Sequence, residues 1–487
     1  MSVAENEHVA TRIPVVREVR ADLDTPLSVY LKLADKPNTY LFESVQGGER
    51  FGRYSIIGLQ ARRVFTVAGH RLYVIEDGEL VQVETIEDPF ATAEAIRSAY
   101  KVEPIAELPG FTGGLVGWFG FECVRHLEPR LHDTPAEDQL GTPEMLMMLS
   151  EDLAVFDNLK GKLYLITHAD AHDPQARYAA QSRLDAWVET LRTAPTQYPP
   201  ALSSGTVINE NDFVSGFTHQ GFLDAVAQIK DYIRAGDAFQ VVLSQRLTVP
   251  FAARPVDLYR ALRSLNPSPY MYFLNVGDMQ VVGSSPEILV RQQGREVTVR
   301  PIAGTRPRGT TPEHDLQLEQ ELLADPKERA EHLMLIDLGR NDLGRICEPG
   351  SVQLKEQFAI ERYSHVMHIV SEVSGTLREG MNYADVLRAT FPAGTVSGAP
   401  KLRALEIIRE LEPILRNVYA GCIGYIGWNG DADMAIAIRT AVVQEGKLHV
   451  QAGAGIVYDS DPESEWQETM SKSRALFRAV REAAAGL

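Results

Sequence analysis

Only three cysteines occur in the 487 residues, Cys123, Cys347 and Cys422. They lie far apart and form no C-x-x-C pair, which excludes a disulfide scaffold and a zinc ribbon and suits reduced thiols in a cytoplasmic protein. Positive charge is also short, with 48 Lys and Arg against 66 Asp and Glu and a formal net charge of −18 at pH 7. Such a chain repels a phosphate backbone, so neither nucleic acid nor an anionic membrane is an expected partner, although a local basic pocket for a small anion stays possible. Apolar runs are short pieces such as LVGWFGF (115–121), so no membrane span is expected. The start, MSVAENEHVA, has neither the basic opening nor the apolar stretch of a signal peptide. With 44% hydrophobic residues the composition is that of a folded soluble protein.

Several motifs are incomplete. GGLVGWFGF (113–121) lacks the Lys-Ser/Thr of a phosphate-binding loop and reads as turns and close backbone packing. GAG at 453–455 lacks the third glycine of a dinucleotide fingerprint. AGCIGYI (420–426) carries Ala420 and Ile426 where a glutamine amidotransferase elbow needs Gly and Gln, so Cys422 reads as a core thiol. This chain is not expected to release ammonia from glutamine itself.

RTAPTQYPPALSSGTVINEND (192–212), rich in Pro, Ser and Thr, reads as a linker or long surface crossing. Before it, residues 62–84 alternate apolar and polar around Gly69 and Gly78, predicting antiparallel strands, and 173–192 predicts a closing helix. After it, Phe222, Val226, Ile229 and Ile233 predict a helix ending at Ala235-Gly236, followed by a buried strand over 239–249. MAIAIRTAVV (434–443) reads as an apolar strand pattern containing Arg439, whose guanidinium would be costly there without an anionic partner.

Two acidic helix starts stand out. In DPKERAEHLMLID (325–337), Asp325 suits the N-cap and Pro326 the first helical position, while Glu328 can close a capping box. Glu331, three residues on, shares its face. DSDPESEWQETMSKSRALFRAV (459–480) repeats the design with Asp461, Pro462, Glu465 and Glu468, and there Lys472 can form an ordinary helix pair with Glu468. If the two starts meet, four carboxylates converge and call for a hard cation, for which Mg²⁺ is the natural ion.

PIAGTRPRG (301–309), DLGRNDLGRICEPGSV (337–352), YSHVMHIVSEVSG (363–375), FPAGTVSGAPK (391–401), IAIRT (436–440) and AGAGIVYDSDPESEWQET (452–469) together resemble the chorismate-utilising enzyme family, with further matches at LFES (41–44) and ERFGRYSIIG (49–58). The resemblance implies a mixed α/β (α+β) fold of two packed β-sheets flanked by helices. It divides the chain into a β-rich region 1–200, with tryptophan-binding and partner-contact elements, and a chorismate-binding catalytic region 213–487. It implies Glu331 and Glu468 as Mg²⁺ ligands, with Glu328 and Glu465 around them. Thr305, Gly394, Tyr419, Arg439, Gly453, Gly455 and Lys472 would line the substrate pocket, and Glu287 and Thr395 the reacting centre. His368 would assist pyruvate elimination as general acid or base.

Within the family, Ala303 stands where the aminodeoxychorismate-forming members carry a nucleophilic Lys, and Gln240 where the isochorismate- and salicylate-forming members carry a Lys that activates water. The resemblance therefore implies free ammonia as nucleophile, supplied from glutamine by a separate amidotransferase subunit, with anthranilate and pyruvate as products. The alternatives are members that stop at aminodeoxychorismate or at 2-amino-2-deoxyisochorismate, and a tryptophan-sensing chain without catalysis. Loss of Glu331, Glu468 or His368 would suggest the last, and all three are present. A tryptophan feedback site is implied at Glu43, Ser44, Pro269, Tyr270 and Met271, with Phe42 in place of the usual Leu. A second departure is GWFGFE (117–122), where the family usually shows Tyr and Asp at Phe121 and Glu122.

Overall fold

The computed structural model describes residues 10–44, 53–104, 108, 110–132, 136–194, 205, 207–363 and 366–487. The first nine residues, residues 49–52 of ERFGRYSIIG, residues 364–365 before His368 and most of the Pro- and Ser-rich 192–212 stretch lie outside the described residues.

Alternating segments become strands as expected. Residues 62–84 form Arg63–Ala68, Arg71–Glu76 and Glu79–Thr85, joined at Gly69 and Gly78, whose φ values of +56° and +88° suit glycine at these tight turns. The glycine-rich stretch becomes the strand Gly114–Phe119, and a Cβ on Gly117 would sit 1.8 Å from the Leu146 carbonyl oxygen of the neighbouring strand. These glycines thus serve close strand packing.

The described strands form a 13-stranded and a 12-stranded sheet, almost all of their pairings antiparallel. The middle of the larger sheet runs Gln240–Pro250, Lys447–Ile456, Thr440–Gln444, Met279–Ser285, Tyr270–Asn275 and Thr39–Glu43. The middle of the smaller runs Ile288–Gln293, Ala432–Ile436, Cys422–Gly427, Gly114–Phe119 and Met145–Ser150. Thr39–Glu43 pairs with Tyr270–Asn275, and Gly114–Phe119 with Cys422–Gly427, so residues 1–200 and 213–487 contribute to both sheets.

Tyr40, Leu274 and Val281 of the larger sheet pack with Val116, Trp118 and Leu146 of the smaller in a core between them. On its other face the larger sheet buries the apolar stripes of helices Pro26–Leu33, Pro174–Thr193, Pro255–Leu265 and Pro462–Ala485. The smaller packs against Pro89–Ser98 and Tyr383–Thr390. The expected helix after the linker spans His219–Ala235, capped by the Thr218 side chain and ended by Gly236 at φ +85°, and leads into Gln240–Pro250.

One expectation is corrected. MAIAIRTAVV is two strands, Ala432–Ile436 and Thr440–Gln444, and they belong to different sheets. Both halves are buried, so hydropathy stays high on either side of Arg439, where the chain changes sheets. GSSPE makes a parallel crossing: Met279–Ser285 lies in the larger sheet and Ile288–Gln293 in the smaller.

Candidate active site

The two crossings lie side by side. Ile436 N–H donates to the Glu287 carbonyl at 3.0 Å, and Ser284 N–H to the Arg439 carbonyl at 3.1 Å. Glu287 and Arg439 therefore sit where the chain passes between sheets. Burial pushes the Glu287 carboxyl up to about 8, against the opposing pull of the Ile302 N–H, the Thr395 hydroxyl and Lys472. Arg439 holds the left-handed φ of +52° and donates to the Lys472 carbonyl at 2.6 Å. Burial pushes its guanidinium below its ordinary value, and no carboxylate forms an ion pair with it among the described residues. A charge so placed is suited to an anionic ligand.

Both acidic helix starts are helix N-termini. Pro326–Gly344 opens with Asp325, whose side chain accepts from the N–H groups of Lys327 and Glu328, and Pro462–Ala485 with Asp461, which accepts from Ser464 N–H. The reciprocal half of the expected capping box is absent: Asp325 N–H goes to the Leu322 carbonyl, and the Glu328 carboxylate turns to Arg306 at 3.2 Å. Burial raises Glu331 first, then Glu328 and Glu468, while Lys472 and the Gln240 amide pull it down. Burial also raises Glu465, with Glu468 adding to it. The carboxylates of the two starts therefore lie within electrostatic reach of each other. Glu468 pairs with Lys472 at 2.7 Å in an exposed setting that contributes little stability. Among the described residues no three His, Cys, Asp or Glu side chains stand close enough to hold a metal in this conformation.

The remaining predicted residues close around this centre. His368 Nδ1 lies 2.8 Å from the Gly304 carbonyl oxygen and 3.1 Å from Thr305 Oγ1. A carbonyl only accepts, so Nδ1 carries the proton and Nε2 is left as the basic nitrogen. Burial pulls His368 below its ordinary value and keeps it neutral. Lys472 Nζ donates to the Gly453 carbonyl at 2.9 Å. A Cβ on Gly453 would meet the Tyr419 hydroxyl at 2.9 Å, and one on Gly455 would meet Gln240 Nε2 at 2.4 Å. Both positions therefore admit glycine alone without moving a pocket residue. Gly394 and Thr395, in the turn Gly394–Val396, line a small cavity of about 50 Å³ with Glu287.

Glu43, Ser44, Pro269, Tyr270 and Met271 line a separate cavity of about 320 Å³ between the sheets. The Glu43 carboxylate is committed elsewhere, accepting from Tyr259 Oη at 2.5 Å and from Arg263 at 2.9 and 3.0 Å. Sequence reasoning missed Arg291 and Asp433, which line the same cavity and pair at 2.9 Å, with the Tyr270 hydroxyl donating to Asp433 at 2.9 Å. It also missed Arg416, only 2% exposed, whose guanidinium reaches the Val396 and Val242 carbonyls behind the active site. No local pattern marks these residues as part of a site, because Arg291 and Asp433 pair across distant segments and Arg416, although it pairs with nearby Glu412, reaches the Val396 and Val242 carbonyls from elsewhere in the chain.

The sequence signature of the chorismate binding enzymes spans residues 39–478, and the chain belongs to that family. It is 57% identical over 469 residues to anthranilate synthase component 1 of Pseudomonas putida, covering 96% of this chain and 95% of that one. The same-named protein of Neisseria meningitidis serogroup A is 53% identical over 98% of this chain and 96% of its own length. The structure is similar to that of anthranilate synthase component I from Streptococcus pneumoniae, with a TM-score of 0.79, 38% identity and coverage of 94% and 99% of the two chains. The fold is shared more widely: the menaquinone-specific isochorismate synthase from Escherichia coli superimposes with a TM-score of 0.72 at 20% identity, covering 98% of this chain and 97% of that one. No helix among the described residues is long and apolar enough to cross a membrane.

Proposed function

We propose that this chain is the chorismate-consuming component of an anthranilate synthase, converting chorismate and ammonia to anthranilate and pyruvate in the cytoplasm as a step of tryptophan biosynthesis. The observation that carries the reading is the near-complete match, at 57% identity, to a protein of that name. The site supports it chemically. Arg439, Lys472 and the Tyr419 phenol, which burial holds protonated up to about 12, offer donors to a dicarboxylate. The neutral Gln240 amide and Ala303 supply neither a base for water nor a nucleophile, which leaves free ammonia to attack the ring. With Nδ1 held by the Gly304 carbonyl, His368 would move a proton through Nε2 during pyruvate loss, and the Glu287 carboxyl, protonated near neutrality, would donate a hydrogen bond to substrate.

Glu331 and Glu468, with Glu328 and Glu465 around them, would hold Mg²⁺, which when bound neutralises these charges and acts as a Lewis acid toward substrate oxygens. Burial and then the neighbouring Glu328 and Glu468 charges raise Glu331, a setting that a cation would relieve. A glutamine amidotransferase subunit would supply the ammonia, since Ala420 and Ile426 leave Cys422 outside any glutaminase motif. The 320 Å³ cavity is read as the site of tryptophan feedback.

The test is fluorescence of the purified chain with chorismate, Mg²⁺ and an ammonium salt at mildly alkaline pH, with product identification. Anthranilate and pyruvate from ammonia but not from glutamine, suppressed by tryptophan, are expected. An amino product that keeps its enolpyruvyl group would move the chain to a sister reaction. Glu468→Gln should lower Mg²⁺-dependent turnover by roughly 100-fold or more, and full activity in that variant would refute the metal assignment.

A further inference from the structure

Behind the active site lies a buried polar unit that no part of the proposed chemistry uses. Its centre is Arg416, whose Nη1 donates to the Val396 carbonyl at 2.6 Å and whose Nη2 donates to the Val242 carbonyl at 2.8 Å. Val396 ends the turn that carries Gly394 and Thr395, and Val242 lies opposite Gly455 on the strand that carries Gln240. Arg416 also accepts the Tyr419 N–H through its carbonyl at 3.1 Å. One residue thus ties together three elements that line the substrate pocket. Glu412 balances its charge, at 2.8 Å from Nε and 2.6 Å from Nη2, and also accepts from Ser244 N–H and Oγ.

Phe121 and Glu122 hold Arg416 from the other side. The guanidinium carbon lies 4.6 Å from the centre of the Phe121 ring, and the Arg416 backbone N–H donates to Glu122 Oε1 at 2.9 Å. Glu122 is buried, and it also lines a polar cavity of about 190 Å³ with Arg125, Asp138, Thr142 and Asn417. A buried ion pair is weak as a source of stability compared with apolar packing of the same volume, whereas a guanidinium with fixed donor directions defines geometry well.

We propose that Phe121, Glu122 and Arg416 form a positioning clamp that sets the 394–396 turn, the Gln240 strand and Tyr419 in the arrangement that receives chorismate. These are positioning residues, acting through their hold on backbone groups rather than by touching substrate. The inference rests on the reading of this pocket as the chorismate site.

The test compares Glu122→Ala, Glu122→Gln and Arg416→Lys with the unaltered chain. Steady-state kinetics with chorismate and ammonium are read beside amide hydrogen exchange over 393–399 and 416–421. In E122A the Arg416 N–H loses its acceptor, so kcat/KM for chorismate should fall roughly tenfold or more while KM for ammonium stays within about twofold. Exchange over both segments should quicken. E122Q keeps an amide oxygen for that N–H and should regain most of the loss. Arg416→Lys keeps the charge but loses the fork, and should repeat the E122A pattern even if E122A is not recovered folded. Unchanged kcat/KM and exchange in E122A or R416K would overturn the clamp, as would a loss in E122A that E122Q does not relieve. Failure of the unaltered chain to consume chorismate would instead refute the proposed function, and the exchange data would still decide the clamp.

Discussion

Among single residues, Glu287 carries the clearest pH signature. Its folded value of about 8 lies above the ordinary 4.5 because burial disfavours the charged form. Between those values the folded chain holds a proton that the unfolded chain releases, so this residue's contribution to stability falls as pH rises from about 4.5 and levels off near 8. Glu287→Gln cannot ionise, so its stability relative to the unaltered chain should rise between pH 5 and 8. Urea midpoints at the two pH values check this, and a constant gap would mean that Glu287 is not buried in solution as described. Single side chains such as Glu331, Glu468 and His368 were nominated from the sequence through the motifs that carry the family resemblance. Arg416 was not, because its meaning lies in the Val242 and Val396 carbonyls, which sequence places far from it.

At the scale of elements, the helix starts were legible because caps are local. Asp461 accepts from the N–H of Ser464 only three residues away. Asp461→Ala should cost about 1 kcal/mol of stability and Asp461→Asn much less, measured by chemical denaturation. The strands around the pocket make a different demand. Gly455→Ala would place a methyl 2.4 Å from Gln240 Nε2, so the amide must swing aside. Because a flexible side-chain end gives way, turnover should fall far more than thermal stability, and equal losses in both would show that Gln240 cannot move. The sheet crossing at Arg439 was hidden, since apolar residues continue on both sides of a change of sheet as they do along one strand.

Over the whole molecule, the cavity lined by Ser44 and Tyr270 includes neither Arg439 nor His368 and so stands apart from the candidate site around them. Their separation lets one be altered without the other. Ser44→Phe should fill part of the first cavity and abolish tryptophan inhibition while leaving kcat and KM for chorismate close to those of the unaltered chain. Inhibition at the original tryptophan concentration would refute that site.

The sequence by itself determined the mixed α/β class, the capped helices and the acidic helix starts, because propensity and capping act over a few neighbouring residues, while the pocket residues were named through the family resemblance of its motifs. Tertiary structure alone decided that residues 1–200 and 213–487 share both sheets, that one apolar run crosses between them at Arg439, and that Glu328 turns to Arg306 instead of back to its own cap. It also brought Arg416 behind the pocket. The shared sheets depend on strand pairing between segments hundreds of residues apart, as with Thr39–Glu43 and Tyr270–Asn275, and such pairings leave no periodic trace in either segment alone.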